Sequence, residues 1–179
     1  MTDRDDLLTL IKDLAVVPGP VRLSSGHQAD FYIDLRRLTL HHIGGSLVGR
    51  VMLDLVADMN FDAVGGLTLG ADPVAFAMMH EAPTRQRVVD AFVVRKNEKT
   101  HGLARRVEGP DVAGRRVLVV EDTSTTGASA LAAADALRRN DAEVVGIAAI
   151  VDRGAGGAID AAGLEYRSAF SLADLGQPG

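Results

Sequence analysis

Apolar residues along the chain fall into two alternating patterns, short continuous runs and runs at helical spacing. The continuous runs are short enough for buried strands, and they span Ala63 to Gly66, Asp90 to Val94, Arg116 to Val120 and Val144 to Val151. Helical spacing appears in Ile43 to Met59, in the segment that begins near Pro73, and in Ala128 to Arg139. Aliphatic strands that alternate with helices predict an α/β fold with a mainly parallel central sheet flanked by helices.

The N-terminal segment has a different pattern. Thr2 and Asp5 resemble a capping box with Asp in place of Glu, so the chain is predicted to begin with an amphipathic helix that Pro18-Gly19-Pro20 ends. Val21 to Leu23 and Phe31 to Ile33 predict short strands in a hairpin-like lid. At the other end, glycine-rich sequence follows Arg153, and a last short strand is expected near Leu164 to Arg167.

Length and composition favour one soluble domain. With 179 residues, 47% of them hydrophobic, the chain fits a single domain over residues 1–179. We expect an N-terminal hood and lid in about residues 1–40 and the α/β core in about residues 41–179. The absence of cysteine excludes disulfides and thiol catalysis and is compatible with the cytoplasm. No apolar run approaches the roughly 18 residues of a membrane span, so we expect a cytoplasmic, unprocessed protein that binds no membrane.

A net charge of −5 argues against general nucleic-acid binding, because that binding depends on cationic contacts to phosphates. A polyanion site would have to be a local basic patch. The segment from Arg95 to Gly109 is such a patch, since it carries five Lys or Arg residues against two Glu. A run of charges is usually a solvated surface loop. Its length, its two glycines and its place after a strand indicate instead an arm that closes over a polyanion such as a pyrophosphate leaving group.

The run from Arg116 to Val120 ends in an acid pair, Glu121-Asp122, and then in four hydroxyl residues and Gly127. The pattern predicts strand, loop and helix, and the N-terminus of such a helix suits a phosphate. Taken alone, the acid pair could be a strand end that supplies a helix cap. Beside a phosphate site, two carboxylates suit a ligand that also carries hydroxyl groups or a divalent cation. The sequence lacks G-x-x-x-x-G-K-[ST], which excludes a nucleoside-triphosphate P-loop.

In open α/β sheets, ligands bind at the carboxyl ends of the strands. The segments Leu67 to Asp72, Arg95 to Gly109 and Glu121 to Ser129 all follow predicted strands. We therefore expect these three segments to line one site.

The acid pair with its hydroxyl loop resembles the phosphoribosyl-pyrophosphate motif of type I phosphoribosyltransferases. The basic segment Arg95-Lys96-x-x-Lys99-x-His101-Gly102 is similar to that of the orotate phosphoribosyltransferase family in particular. Ser25-Gly26, the run from Phe31 to Arg36, and Asp152-Arg153 match the same family's pattern. The resemblance covers nearly the whole chain.

This resemblance implies the type I phosphoribosyltransferase fold and a Mg²⁺-dependent enzyme of de novo pyrimidine (UMP) biosynthesis. The reaction would move the 5-phosphoribosyl group from phosphoribosyl pyrophosphate to orotate, giving orotidine 5′-phosphate and pyrophosphate. Mg²⁺ would be held mainly through the pyrophosphate and water, without direct protein ligands. The family also implies a homodimer with shared active sites.

The resemblance also assigns roles to residues at matching positions. The catalytic residues would be Lys99, His101, Glu121 and Asp122, with the acid pair on the ribose hydroxyls close to Mg²⁺. The 5′-phosphate would be wrapped by Thr123, Ser124, Thr125, Thr126, Gly127, Ala128 and Ser129. Thr125 and Arg153 would recognise orotate. Pyrophosphate would contact Arg95, Lys96, Lys99, His101 and the loop from Leu67 to Asp72.

The match has two gaps, because many relatives carry a lysine at the position of Gln28 and some carry one at the position of Gly70. His27 or Arg36 could supply the missing contacts. Two alternatives share the acid-pair motif. One is a purine-type phosphoribosyltransferase, which would not be expected to carry the basic segment; the other is a regulator that binds the sugar pyrophosphate without turning it over.

Overall fold

The computed structural model describes residues 2–22, 28–97 and 106–177. Within these residues the helices are α1 Asp3–Leu10, α2 Arg36–Thr39, α3 Gly44–Leu55, α4 Ala71–Glu81, α5 Ala128–Arg138 and α6 Gly156–Ala161. A π-helical turn over Ile11–Ala15 continues α1, and a 3₁₀ turn over Ala82–Arg85 follows α4. The strands are β1 Val16–Arg22, β2 Gln28–Ile33, β3 Ala63–Leu67, β4 Asp90–Val94, β5 Val107–Glu108, β6 Arg116–Ser124, β7 Glu143–Asp152 and β8 Tyr166–Ser171.

The central sheet has the strand order β5-β4-β3-β6-β7-β8 in the described part of the chain. Every neighbouring pair is parallel except β4 and β5, which run antiparallel. The predicted mainly parallel sheet is therefore confirmed. Because β3, β4 and β6 are parallel neighbours, their carboxyl ends lie at one edge of the sheet.

Both faces of the sheet are covered, which explains why the strands are continuously apolar. Leu118, Val120 and Ile150 pack in one core with buried residues of α1, α3 and α4. Val117 and Val119 pack in a second core with the alanine-rich face of α5 and with Ile159 of α6. Successive side chains of a strand point to opposite faces, so a strand buried on both faces is apolar at every position.

The N-terminal helix is confirmed, but its predicted end is wrong. Thr2 and Asp5 form the capping box, with each side chain bonded to the other residue's backbone N–H. The helical segment ends at Ala15, and Pro18-Gly19-Pro20 lies inside β1, not after a helix. β1 pairs antiparallel with β2 in a separate two-stranded sheet, and the register shifts between Pro18 and Val21. Proline is tolerated there because the strand pairs on one side only and is irregular at that point.

Several helices and strands begin or end at residues other than those predicted. The helix expected over Ile43 to Met59 ends at Leu55, and Met59 closes a turn by donating its N–H to the Val56 carbonyl. The segment from Arg95 to Gly109 is not loop throughout, because β5 pairs with β4. The glycine-rich stretch after Arg153 contains α6, and the last strand begins at Tyr166 and not at Leu164. Leu23, Lys99 and His101 lie outside the described residues.

The division into a hood over about residues 1–40 and a core over about residues 41–179 stays a prediction. Where the structure describes the chain, none of its helices combines the length and the apolarity that crossing a membrane requires.

Candidate active site

A cleft of about 310 Å³ lies at the carboxyl ends of β3, β4 and β6. It brings together parts of all three segments that the sequence analysis assigned to one site, together with residues that follow β2 and β7. The lining residues are Tyr32, Ile33, Asp34, Leu35, Arg36, Leu67, Thr68, Leu69, Gly70, Lys96, Glu121, Asp122, Thr123, Ser129 and Arg153. The prediction that three segments share one site is confirmed.

Glu121 is the most buried carboxyl group of the cleft, with only 5% of its surface exposed. Its backbone continues β6 and pairs with β7 opposite Ala149, so the strand fixes its position. Its Oε1 atom has no hydrogen-bond partner within the described part of the chain. A buried acceptor without a donor is costly, and such atoms in native proteins often have a ligand as their missing partner.

Asp122 follows on the same strand, and its carboxylate accepts a hydrogen bond from its neighbour, the Thr123 N–H, at 2.7 Å. Gly70 of the opposite loop leaves room for this carboxylate. A Cβ atom at Gly70 would lie 2.6 Å from Asp122 Oδ1, closer than real Cβ contacts. The glycine at position 70 therefore has a physical role in this chain, because a lysine there would displace the Asp122 carboxylate.

Asp72, which does not line the cleft but lies close enough to Glu121 to raise its pKa, is a further carboxyl group that sequence reasoning did not single out. Its Oδ2 accepts a hydrogen bond from the Thr68 hydroxyl at 2.7 Å, while its Oδ1 is buried without a partner in residues 2–22, 28–97 and 106–177. Asp72 lies in the first turn of α4, where a negative charge suits the helix dipole. The available signal was an acidic residue soon after a buried strand, in a loop already assigned to the site.

Burial and the two neighbouring acids raise the proton affinity of Glu121. Burial raises the pKa of Glu121 to about 8, and the negative charges of Asp122 and Asp72 add to the effect, against the opposing charge of Lys96. Burial also raises the pKa of Asp122 and that of Asp72. The cleft therefore favours a ligand that supplies hydroxyl donors or positive charge to these carboxyl groups.

The hydroxyl-rich stretch is partly strand, which corrects the predicted loop. Thr123 and Ser124 belong to β6 and pair with Val151 and Asp152, so Ser124 is buried. The turn itself is Thr125-Thr126-Gly127, with Gly127 at φ +74°. α5 then begins without a side-chain cap, and Ser129 in its first turn lines the cleft. An uncapped helix N-terminus beside exposed Thr125 and Thr126 suits a phosphate.

The basic segment is described only at its two ends. Lys96 lines the cleft, and Arg95 lines a neighbouring cavity together with Lys96 and Leu69. Arg95 is anchored by Glu108, 3.4 Å away, and its backbone N–H donates to the Arg106 carbonyl. These contacts hold the two ends of the segment together at the cleft. The roles of Lys99 and His101 remain predictions.

Arg153 enters the cleft from the opposite side, on the turn after β7. Its backbone N–H donates to the Ser124 carbonyl at 2.8 Å. Its Nε atom is buried and has no partner among the residues that the structure describes. A guanidinium held in this way can bind a carboxylate or a carbonyl edge with two parallel hydrogen bonds.

The run from Tyr32 to Arg36, part of the segment that matches the family's pattern, forms one wall of the cleft. Arg36 donates from Nε to Asp34 at 2.8 Å, and its positive charge lowers the pKa of Asp122 against the larger effect of burial. Arg36 therefore lies where it could replace one of the missing lysines. His27, the other candidate, is outside the described residues.

Comparison with known proteins gives concordant results. A sequence model of the phosphoribosyl transferase domain matches residues 37–163. An orotate phosphoribosyltransferase from Streptomyces avermitilis is 62% identical over 176 residues, which cover 97% of each chain. The orotate phosphoribosyltransferase from Mycobacterium tuberculosis is 59% identical, again over 97% of each chain. A crystal structure of the M. tuberculosis enzyme with 5-phospho-α-D-ribosyl 1-diphosphate has a TM-score of 0.86 and 54% identity, covering 98% of this chain and 99% of that one.

The buried carboxyl group of Glu121 makes stability depend on pH. The folded protein holds this proton up to about pH 8, whereas the unfolded chain releases it near the ordinary value of 4.5. Stability is therefore lost as the pH rises between these two values. We expect Glu121→Gln to remove this loss. The free energy of unfolding of the variant should therefore rise, relative to that of the wild type, by roughly 1–4 kcal/mol from pH 5 to pH 8. Urea unfolding of the ligand-free protein across this range measures the difference.

Glu143→Gln, at an exposed position, is the matched control and should follow the wild type at every pH. A constant difference between Glu121→Gln and the wild type from pH 5 to pH 8 would contradict the assignment of a neutral Glu121.

Proposed function

The chain belongs to the orotate phosphoribosyltransferase family, and we propose that it joins orotate to 5-phosphoribosyl 1-pyrophosphate, giving orotidine 5′-phosphate and pyrophosphate. The observation that carries the proposal is the cleft itself. The acid pair Glu121 and Asp122 lies between the uncapped start of α5 on one side and Lys96 with the loop from Leu67 to Gly70 on another, and Arg153 forms a third boundary. Such a cleft would offer separate places for a phosphate, a ribose, a pyrophosphate and an acidic base.

The acid pair would hold the ribose. The Glu121 carboxyl group lacks a partner within the described residues, and two ribose hydroxyls would supply the donors. Once those donors are bound, the charged form of the carboxyl group becomes favourable. The same residues would keep the sugar fixed while the glycosidic bond forms, which is the advantage of a rigid strand over a loop.

Mg²⁺ suits this carboxyl cluster, since Glu121 and Asp72 each present a buried, unpartnered oxygen in the described part of the chain. The described residues contain no group of three His, Cys, Asp or Glu that could hold a metal by itself. We therefore propose that Mg²⁺ binds mainly through the pyrophosphate and water, with Asp122 and Glu121 nearby. When bound, it would neutralise negative charge on the departing pyrophosphate.

The step would pass through a positively charged, oxocarbenium-like ribosyl centre, as glycosyl transfer generally does. The bond from the sugar to pyrophosphate breaks while the base nitrogen forms the new one and gives up its proton to the departing pyrophosphate or to water, and no protein nucleophile is needed. Lys96 and Arg95, with Lys99 and His101 of the same segment, would bind the pyrophosphate most strongly as its charge develops. The absence of cysteine supports a cytoplasmic place for this step of pyrimidine synthesis.

A base panel tests the proposal directly. Purified protein is incubated with Mg²⁺, the sugar pyrophosphate and, in turn, orotate, uracil, adenine, hypoxanthine and guanine. We expect orotate to be consumed, which the decrease of its absorbance measures, and an equal amount of pyrophosphate to be released. Turnover of a purine would establish the purine-type alternative. Binding of the sugar pyrophosphate without turnover of any base would establish the regulator.

Gly70→Ala tests whether activity depends on the position of the Asp122 carboxylate. The added methyl group meets the Asp122 carboxylate, which must move, and the three nearest heavy atoms all belong to that side chain. We expect kcat/KM for the sugar pyrophosphate to fall by about 10- to 100-fold with little change in unfolding free energy. Steady-state kinetics and urea unfolding give the two quantities. Gly157→Ala, where a Cβ has no heavy atom within 4 Å, is the control and should leave kcat/KM unchanged.

We further propose that the chain forms a homodimer with shared active sites. Exposed apolar side chains in and near α4 support this proposal. Leu69 before the helix and Phe76 within it are 59% and 44% exposed, and Leu40, 72% exposed, lines a groove together with Phe76. Leu69 also lines the cleft. A second copy that covers these side chains would bury apolar surface and lie within reach of the cleft.

Mixing two inactive variants tests the shared site. Lys99→Ala damages the basic segment and Asp122→Asn damages the acid pair. If the segment acts on the partner's cleft, each mixed dimer has one intact site, and random assortment restores about a quarter of wild-type activity. If it acts within its own subunit, refolding the two variants together restores nothing. Adding Phe76→Glu to both should abolish the recovery and give a monomer by size-exclusion chromatography.

A further inference from the structure

One carboxylate oxygen joins three separate parts of the chain behind the cleft. Oδ1 of Asp152 accepts hydrogen bonds from the Gly154 N–H at 3.1 Å, from the Ala155 N–H at 2.9 Å and from the Tyr166 hydroxyl at 3.0 Å. Asp152 ends β7, the two N–H groups belong to the turn after it, and Tyr166 begins β8. The turn that carries Arg153 is thus closed by the side chain that precedes it.

Arg153 itself is held by its backbone, not by its side chain. Its N–H donates to the Ser124 carbonyl of β6, which fixes one side of the turn. The bonds to Asp152 fix the other side, where Gly154 adopts a φ of +113°. The Arg153 Nε atom has no partner in the described part of the molecule. The direction of the guanidinium therefore depends on how rigidly Asp152 holds the turn.

Tyr166 fixes the position of the Asp152 carboxylate. It lies on β8, a strand that contributes no residue to the lining of the cleft. Its ring is near the start of α6, where a Cβ on Gly156 would lie 3.6 Å from the ring. Burial and the Asp152 carboxylate both raise the pKa of Tyr166, so its hydroxyl remains a donor. The Tyr166 hydroxyl is also close to the side chain of Ser124 on β6.

The hydrogen bond from the Tyr166 hydroxyl also affects whether Asp152 can pair with the charged side chain of Arg153. Asp152 and Arg153 are neighbours of opposite charge, and a carboxylate free to rotate could pair with the guanidinium. Three donors on one oxygen keep the Asp152 carboxylate turned toward the backbone and Tyr166. Arg153 is consequently left to a ligand in the cleft.

We propose that Tyr166 is a positioning residue for the base substrate, which acts through Asp152 to fix the turn that presents Arg153 to the acidic edge of orotate. The proposal rests on the proposed function, in which Arg153 recognises orotate. Tyr166 lies outside the cleft, and its hydroxyl is expected to affect the binding of orotate but not that of the sugar pyrophosphate.

Tyr166→Phe tests the proposal, because it keeps the ring and removes one hydroxyl. We expect KM for orotate to rise about 3- to 10-fold, the effect of one hydrogen bond, while KM for the sugar pyrophosphate and kcat change less than about twofold. Asp152→Ala should raise KM for orotate further. In the Asp152→Ala background, adding Tyr166→Phe should have no additional effect, since the bond is already lost.

Asp152→Asn keeps an acceptor oxygen and should restore KM for orotate to near the wild-type value. Thr84→Val, which removes a hydroxyl hydrogen bond to Glu81 in an exposed turn, is the matched control and should leave both KM values unchanged. Thermal unfolding of each variant shows whether it is folded. The Asp152 variants still test the proposal if Tyr166→Phe does not fold.

Equal increases of both KM values in Tyr166→Phe, or independent effects of the two substitutions in the double variant, would overturn the positioning role. Failure of the proposed function looks different, because the wild type itself would then consume another base and not orotate. The same series measured with that base would still decide whether Tyr166 and Asp152 position Arg153.

Discussion

The structure depends on an acid pair, buried Glu121 and half-buried Asp122, near the end of a strand whose preceding residues are apolar on both faces. Four aliphatic residues, Val117 to Val120, anchor β6 in the two cores, and the next residue is a carboxyl group without a partner in the described residues. In the free protein this arrangement costs stability, because burial and neighbouring acids oppose ionisation of Glu121. A ligand with hydroxyl groups and a cation would remove that cost on binding, so the unfavourable burial of Glu121 would add to the affinity for the substrate.

A parallel sheet explains why one cleft can collect so many kinds of group. Each crossover returns the chain to the same edge, so the ends of β3, β4 and β6 deliver a glycine loop, a basic segment and an acid pair to neighbouring places. The wall from Tyr32 to Arg36 comes from a separate sheet and covers the acid pair from outside. Strands therefore hold the acid pair proposed to bind the sugar, while the basic segment follows β4, and its described ends are joined by hydrogen bonds between Arg95 and Arg106.

The sequence predicts the alternation of strands and helices well, because burial on two faces leaves continuous aliphatic runs such as Val117 to Val120. It predicts the ends of elements less well. Thr123 and Ser124 look like turn residues, yet they extend β6 because β7 is long enough to pair with them. Pro18 looks like a helix stop, yet it lies in a strand that pairs on one side. Gly156 and Gly157 disfavour a helix locally, but α6 forms there and buries Ile159 in the core. Tertiary pairing and burial decide these cases, and neither is a local property.

The same limit applies to the candidate site. Residue type and position after a strand were sufficient to find Glu121, Asp122 and Lys96, and the family resemblance added Arg153; all four line the cleft. They were not sufficient to find Asp72 or the fit between Gly70 and Asp122, because these depend on distances between segments about 50 residues apart. Gly70 is informative for this reason. In the sequence it stands where some relatives carry a lysine, whereas in the fold its lack of a side chain leaves the space that the Asp122 carboxylate occupies. A family pattern therefore indicates which groups a site needs, and only the packing shows which positions must remain small to accommodate them.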